Sequence, residues 1–268
     1  MDFSLFLDEE VLAIAEEAHR LSMHIACYAY DADGIRKVAE GGVDTSKHGI
    51  FVNEEIANIL VQKGTYLIPT QIAMRMPPDI LQQFPREVIK EEKEIPGHMA
   101  ENHRLTFEKG VAIAVRTYSG APVIPHGTNG IEIKNKVENI GMTQSQTLQA
   151  AMIRAAEAIK MDNDIGSIEK GKYADLVICE RNPLENLATL EEAKNFDYVI
   201  KDGKIMVKRG KITYFARAII EFSLSIVSSS APLGSNLKQN QKIFCGREAQ
   251  NYGTALFFAW RWYARRRN

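Results

Sequence analysis

The sequence predicts an α/β protein whose parallel strands form about half of a closed barrel. Between residues 8 and 160, short β-branched runs alternate four times with longer segments of helical period. Such alternation predicts parallel strands joined by right-handed crossovers, in either a barrel or a doubly wound sheet. No GxGxxG sequence follows the first strand, so a dinucleotide-binding sheet has no support and the barrel is favoured. A closed barrel needs eight such units, twice the number present.

The first two units follow from their hydrophobic period. Apolar residues at helical spacing predict a helix over residues 8–21, and a β-branched and aromatic run predicts a strand over 24–30. A short helix over 31–42 ends at a pair of glycines. The segment 43–49 then reads as the end of the second strand.

The last two units have clearer end signals. A helix over 53–64 starts with an Asn and stops at a Gly, and a strand over 65–70 follows it. After a Pro-interrupted stretch with charged helical character, a helix over 98–110 leads into a strand over 111–117. A helix over 143–160, behind a Thr cap, completes the alternation.

Two further regions follow the barrel units. In residues 161–215, Asp202-Gly203 is a strong hairpin signal and indicates a small β-domain. Residues 216–268 carry eight Lys and Arg against two Glu, and they are rich first in Ser, Asn and Gln and then in aromatic and basic residues. This tail is predicted to be unstructured or irregular, and an unconstrained extension is favoured over a membrane or nucleic-acid contact. The sequence thus divides at about residues 160 and 215.

Composition favours a cytoplasmic globular protein. The three cysteines, Cys27, Cys179 and Cys245, are scattered and form no CxxC pair, so no disulfide framework is expected. The sequence contains no apolar run long enough to span a bilayer. Its first residues are acidic where a signal peptide would be basic.

A set of motifs then occurs in order at the spacing of a known family: EEAHRL, GGVDTSKHG, KGTYLIPT, KGVAIAV, PHGTNG, IGSIEKGKYADLVI, NPLENL and VIKDGK. Over residues 8–214 the chain resembles the C-terminal portion of the amidohydrolase superfamily, nearest the branch of Xaa-Pro dipeptidases and imidazolonepropionase-like enzymes. The resemblance implies strands five to eight of a TIM (β/α)8 barrel and part of a small β-sandwich. It also implies hydrolysis of C–N bonds in small amide or dipeptide substrates with one or two divalent metals, usually zinc.

The family takes its metal ligands from an HxH pair on strand one, a carboxylated Lys on strand four, His on strands five and six, and Asp on strand eight. Strands one and four have no counterpart here. The resemblance places Tyr28 in the fifth-strand His position, retains His48 on the sixth strand, and puts Lys47 where that His usually has an acidic neighbour. Tyr118 stands in the position of the catalytic Asp. His126 is the best remaining candidate for a substrate contact, although a plain turn residue is the simpler interpretation.

This ligand count argues against a working metal centre. A neutral phenol with a pKa of about 10 is a poor zinc ligand and a poor base, so Tyr28 and Tyr118 are expected to be packing residues. Arg116, two residues before Tyr118, indicates relaxed constraint or a rearranged site, because an unpaired guanidinium inside a barrel would cost several kcal/mol.

Two functions remain. One is a catalytically silent amidohydrolase fragment without tightly bound zinc, which the ligand count favours. The other is an active metal-dependent hydrolase whose site is rearranged or completed by a partner chain. A half barrel also predicts homo-oligomers, because its edges and inner face would be open.

Overall fold

The computed structural model describes residues 6–74, 86–117, 119, 124, 127–213 and 244–245. These residues form an α/β structure with two sheets. In the first sheet, β1 (Ile25–Ala29), β2 (Thr45–His48) and β3 (Tyr66–Ile68) pair in parallel in the order β3-β2-β1. The parallel pairing agrees with the predicted βα units.

Three helices cover one face of this sheet: α1 (Asp8–Arg20), α2 (Ala32–Glu40) and α3 (Glu54–Lys63). Their ends follow the sequence signals, since the Asn53 side chain accepts the Ile56 N–H at 2.9 Å and Gly64 ends α3 with a φ of 68°. The shared core consists of aliphatic side chains from the helices and the sheet, among them Val11, Ile25, Ile35, Val38, Ile56, Leu60, Leu67 and Val111.

The predicted fourth strand is reduced to a single parallel bridge between Leu67 and Ile113. Ala114 N–H donates to the Leu67 carbonyl at 3.1 Å, but the next outward N–H, that of Val115, donates to the carbonyl of Ala150 in a helix, at 3.0 Å. The ladder with β3 does not continue, because the next residue on the β3 side that would donate to this segment is Pro69, which has no N–H. Two tail residues, Phe244–Cys245, pair antiparallel with β1 at the other edge of the sheet.

The helices after β3 differ from the prediction in two places. The charged stretch and the helix predicted over 98–110 form one helix, α4 (Arg86–Glu108), which contains Pro96. The helix predicted over 143–160 is two helices, α6 (Gln144–Ala151) and α7 (Ile153–Ala158), separated by Met152 at φ −114° and ψ −87°. The break coincides with a contact from outside the helix, because the Ala150 carbonyl accepts the Val115 N–H.

Between α4 and α6 lies α5 (Gly130–Asn135), which continues as a π turn over Lys136–Ile140. Gly130 is required by space, since a Cβ there would lie 1.9 Å from the Leu190 carbonyl oxygen of the following region. The two regions are therefore in close backbone contact at this point.

The second sheet is antiparallel, with strands in sequence order: β4 (Leu176–Cys179), β5 (Phe196–Lys201), β6 (Lys204–Lys208) and β7 (Lys211–Ile212). Asp202 and Gly203 connect β5 to β6 with φ values of 50° and 75°. Two consecutive positive φ values define the hairpin turn that an Asp-Gly pair predicts. Among the described helices, none is both long and apolar enough to cross a membrane.

Candidate functional site

The two described ligand positions lie on neighbouring parallel strands. Tyr28 of β1 is in register with Lys47 of β2, and Ala29 is in register with His48. Side chains in register on adjacent strands share a face of the sheet, so Tyr28 and Lys47 stand side by side. Tyr118 and His126, the other predicted site residues, lie outside the described residues.

His48 is fully buried and has a left-handed backbone, with φ 69°. Strand alternation alone would send its ring to the face opposite Lys47. The imidazole instead stacks on Tyr30, with ring centroids 4.7 Å apart and planes 9° apart, and lies 5.4 Å from the Tyr28 ring. The positive φ therefore turns His48 toward the tyrosines. Such a conformation is uncommon for a residue with a Cβ and needs support from its surroundings.

His103, in α4, supplies that support. Its Nε2 donates to the carbonyl oxygens of His48 at 2.7 Å and of Gly49 at 3.1 Å. Its Nδ1 lies 3.4 Å from the amide nitrogen of Gln71, which fits an N–H on Nε2 and an acceptor at Nδ1. Burial lowers the pKa of His103 to about 3, so the ring is neutral at ordinary pH.

Gln71 is held in turn by a buried ion pair. The Glu132 carboxylate accepts the backbone N–H of Gln71 at 3.0 Å and that of Ile72 at 2.7 Å. It also pairs with Lys136, one helical turn later, whose ammonium donates to the Pro69 carbonyl at 2.6 Å. Both charged side chains are fully buried. Burial lowers the pKa of Lys136, and Glu132 opposes that shift.

The site also contains two cationic side chains. Lys47 is buried, and its ammonium nitrogen lies 3.0 Å from the Thr45 hydroxyl. Burial, followed by the charge of Arg116, holds the pKa of Lys47 well below its usual range. The same causes, burial first and then Arg116 and Lys47, lower the pKa of His48 to about 3.

Arg116 is paired, so the cost that an unpaired guanidinium would carry does not arise here. Its Nη2 donates to the Tyr28 hydroxyl at 2.9 Å, and its guanidinium carbon lies 5.5 Å from the centre of the Tyr28 ring. Both the phenol oxygen and the ring face thus stabilise the positive charge. We refer to Tyr28, Tyr30, Lys47, His48 and Arg116 as the strand-end site.

The strand-end site does not suit a zinc ion. Within the described part of the chain, no three His, Cys, Asp or Glu side chains come together in a way that could hold a metal. A tight zinc site needs three or four N, S or O ligands. Here His48 is accompanied by Lys47 and by the guanidinium of Arg116, whose positive charge repels a divalent cation.

A second group of titratable side chains lies at the opposite ends of the strands, around Asp44. This carboxylate accepts the Ile25 N–H at 2.8 Å, lies 3.1 Å from His19 Nε2 and pairs with Lys160 at 2.8 Å. His24 contacts the Ala158 carbonyl, and burial lowers its pKa to about 4. His24 is therefore at the far end from Tyr28, as the strand spacing predicts.

Sequence reasoning missed the residues that support His48. His103 was assigned to a helix without a role, and Gln71, Glu132 and Lys136 were not singled out. The one available signal is the Glu132–Lys136 pair at a spacing of four, a pattern far commoner on exposed helix faces. Only the fold shows that this pair is buried.

Comparison with known proteins places this arrangement in a family. The amidohydrolase family matches residues 6–206. Ochratoxinase from Aspergillus niger is 25% identical over 205 residues, which cover 76% of this chain and 42% of that protein. Imidazolonepropionase from Geobacillus sp. (strain WCH70) is 33% identical over 115 residues, 43% of this chain and 27% of that protein.

The solved structure of a Xaa-Pro dipeptidase with bound methionine in the active site matches with a TM-score of 0.65 and 34% identity, over 75% of this chain and 48% of that one. The structural neighbours are amidohydrolase TIM-barrel proteins. The chain spans about half, or less, of the length of the relatives cited here. Since the family match covers well over half of its residues, the protein belongs to the amidohydrolase family.

Proposed function

We propose that this chain is a catalytically silent member of the amidohydrolase family. In this proposal residues 1–160 are strands five to eight of the family barrel, residues 161–215 are part of the β-sandwich, and residues 216–268 are an irregular tail. The ancestral reaction is hydrolysis of a C–N bond in a small amide or dipeptide, in keeping with relatives named as a Xaa-Pro dipeptidase and an imidazolonepropionase.

One observation carries the proposal. The family is generally metal-dependent, and the described ligand positions hold Tyr28 and His48, with Lys47 and Arg116 in contact with or beside them. Zinc binding needs several neutral or anionic donors and excludes adjacent cations. A zinc-activated water has a pKa of about 7. At this place the protein would supply neither enough ligands for the zinc nor a general base for the water.

The experiment is the metal content of the full chain by elemental analysis, together with hydrolysis of Xaa-Pro dipeptides. We expect much less than one zinc per chain after dialysis, and no turnover above the buffer blank. Stoichiometric zinc that survives dialysis, with activity removed by a chelator, would overturn the proposal.

A second candidate is an active metal-dependent hydrolase whose site is completed by another chain. The observation in its favour is coverage, since the chain aligns with only 42% to 48% of two relatives. The simplest such partner is a second copy of this chain, which would dock through the open half barrel. Zinc content measured on separated monomer and oligomer distinguishes the candidates, because only this one expects metal in the oligomer alone.

A further inference from the structure

The hydrogen bond between Arg116 and Tyr28 crosses the sheet rather than running along it. Tyr28 is in β1, whereas Arg116 follows the bridge to β3, so β2 and β3 lie between the two residues. Three strand spacings amount to about 14 Å on a flat sheet. The two long side chains therefore meet across the strands between them, one of which, β2, carries Lys47, the register partner of Tyr28.

Lys47 is the residue beneath this crossing. A lysine ammonium has three N–H donors, and the Thr45 hydroxyl accepts one of them. Among the described residues, no carboxylate lies within ion-pair distance of Lys47. Arg116 is close enough for its charge to act on Lys47. A buried lysine beside an arginine is unfavourable unless a negative charge joins them.

Three side chains of the strand-end site are reached by solvent. Tyr30 is 36% exposed, and both Tyr28 and Arg116 are partly exposed. The polar atoms that meet here are the guanidinium of Arg116, the hydroxyl of Tyr28 and the ammonium of Lys47. Guanidinium, ammonium and hydroxyl groups are the donors that bind carboxylate and phosphate oxygens.

We infer that the strand-end site binds a small oxyanion, a carboxylate or a phosphate, between Lys47 and Arg116. The charge of the site is thus the reverse of that expected for a family that generally holds cations. This inference goes beyond the silent-enzyme proposal, because oxyanion binding requires neither hydrolysis nor its absence.

The test is isothermal titration of the full chain with sodium phosphate and, separately, with sodium acetate at constant ionic strength. We expect saturable binding of one anion per chain. Lys47→Met and Arg116→Met should each weaken binding by about tenfold or more, the effect of losing one charge-assisted hydrogen bond. The exposed residues provide matched controls, and Lys170→Met and Arg181→Met should leave the affinity unchanged.

The outcomes separate the possible sources of the anion. Tighter binding of phosphate supports a phosphorylated ligand, and equal or tighter binding of acetate supports a carboxylate ligand. Arg116→Lys keeps a positive charge and should retain part of the affinity, which distinguishes lost binding from a misfolded Arg116→Met.

Absence of saturable binding to both anions, or unchanged affinity in Lys47→Met, would overturn the inference. A zinc-free chain that binds no anion would leave the silent-enzyme proposal intact and refute only this one.

Discussion

His103, in the neighbouring helix α4, donates from Nε2 to the backbone carbonyl of His48, 2.7 Å away. This hydrogen bond supports the left-handed backbone conformation of His48. The bond joins the middle of α4 to the end of β2. The other ring nitrogen of His103 faces the side-chain amide of Gln71, whose backbone N–H donates to Glu132. The backbone conformation of His48 is therefore supported by a hydrogen bond from α4.

Loss of the buried lysine at the end of this chain of contacts should be costly. Lys136→Met removes the partner of a fully buried carboxylate, and breaking such a pair typically costs about 3–5 kcal/mol. We expect a fall of that size in the free energy of unfolding, measured in urea. Lys134→Met, at a partly exposed position on the same helix, is the control and should change stability by less than about 1 kcal/mol. Equal effects at both positions would contradict the assigned burial.

Lys47→Met should have the opposite effect on stability and should raise the free energy of unfolding. The substitution removes a buried amine that has no carboxylate partner among the described residues and replaces it with an apolar side chain of similar length. We expect a gain of about 1 kcal/mol or more in the free energy of unfolding, in urea without added phosphate or carboxylate. A clear loss of stability would mean that Lys47 makes a stabilising contact in the folded chain.

Restoring two family ligands should not restore activity. Tyr28→His combined with Tyr118→Asp changes two proposed ligand positions, but it leaves Lys47 and the guanidinium of Arg116 in place. We expect hydrolysis of Xaa-Pro dipeptides to remain undetectable in assays with added zinc. Turnover in this double variant would show that another residue, or a second subunit, completes the site.

Stability should fall as the solution is acidified, because buried histidines stay neutral in the folded chain. The pKa of His24 is lowered to about 4, with Asp44 as its opposing charge, and that of His103 is lowered to about 3, with Lys136 nearby. The unfolded chain takes up these protons below about pH 6.5. The stabilisation is therefore complete above that pH, and it is lost progressively between about pH 6.5 and the folded-state pKa values, about 4 for His24 and about 3 for His103.

Each such histidine contributes a slope of up to about 1.4 kcal/mol per pH unit, measurable as urea unfolding between about pH 7.5 and pH 5. His103→Gln should lower the free energy of unfolding. It should also reduce the dependence of that free energy on pH by the contribution of one histidine. His98→Gln, at an exposed position on the same helix, should keep the slope of the unmodified chain. An unchanged slope in His103→Gln would rule out His103 as a source of the pH dependence.

The chain should associate in solution. Beyond the open edges expected of a half barrel, the second sheet exposes Val177, Ile178, Ile205 and Ile212, each by more than 40%. Exposed apolar sheet faces favour association. We expect dimers or larger species by light scattering, and a monodisperse monomer that unfolds cooperatively would count against the half-barrel proposal.

The sequence predicted the parts of the structure that depend on local signals. The parallel βα order, the ends of α3 at Asn53 and Gly64, and the hairpin at Asp202-Gly203 follow from period, caps and turn chemistry. The break at Met152 did not, because it coincides with a hydrogen bond between Val115 and Ala150, which are far apart in the sequence. Local propensity carries no information about such a contact.

Only part of the candidate site could be located from the sequence. The family motifs gave the positions of Tyr28 and His48, and the structure places them in contact. The roles of His103 and Glu132 depend on which residues become buried together. Arg116 shows the limit most clearly, since its partner Tyr28 lies 88 residues earlier in the chain.

The bond from Val115 to Ala150 also bears on whether another polypeptide could extend the sheet. A strand arriving at this edge would need the Val115 N–H, which already has a partner at 3.0 Å. The added strand would replace the hydrogen bond from Val115 to Ala150 with one of similar strength, about 1 kcal/mol net. It would also separate the end of α6 from this segment. The Ala150 carbonyl and a carbonyl of the added strand would thus compete for the same N–H. Any chain that completes a barrel at this edge must therefore gain its binding free energy from contacts elsewhere.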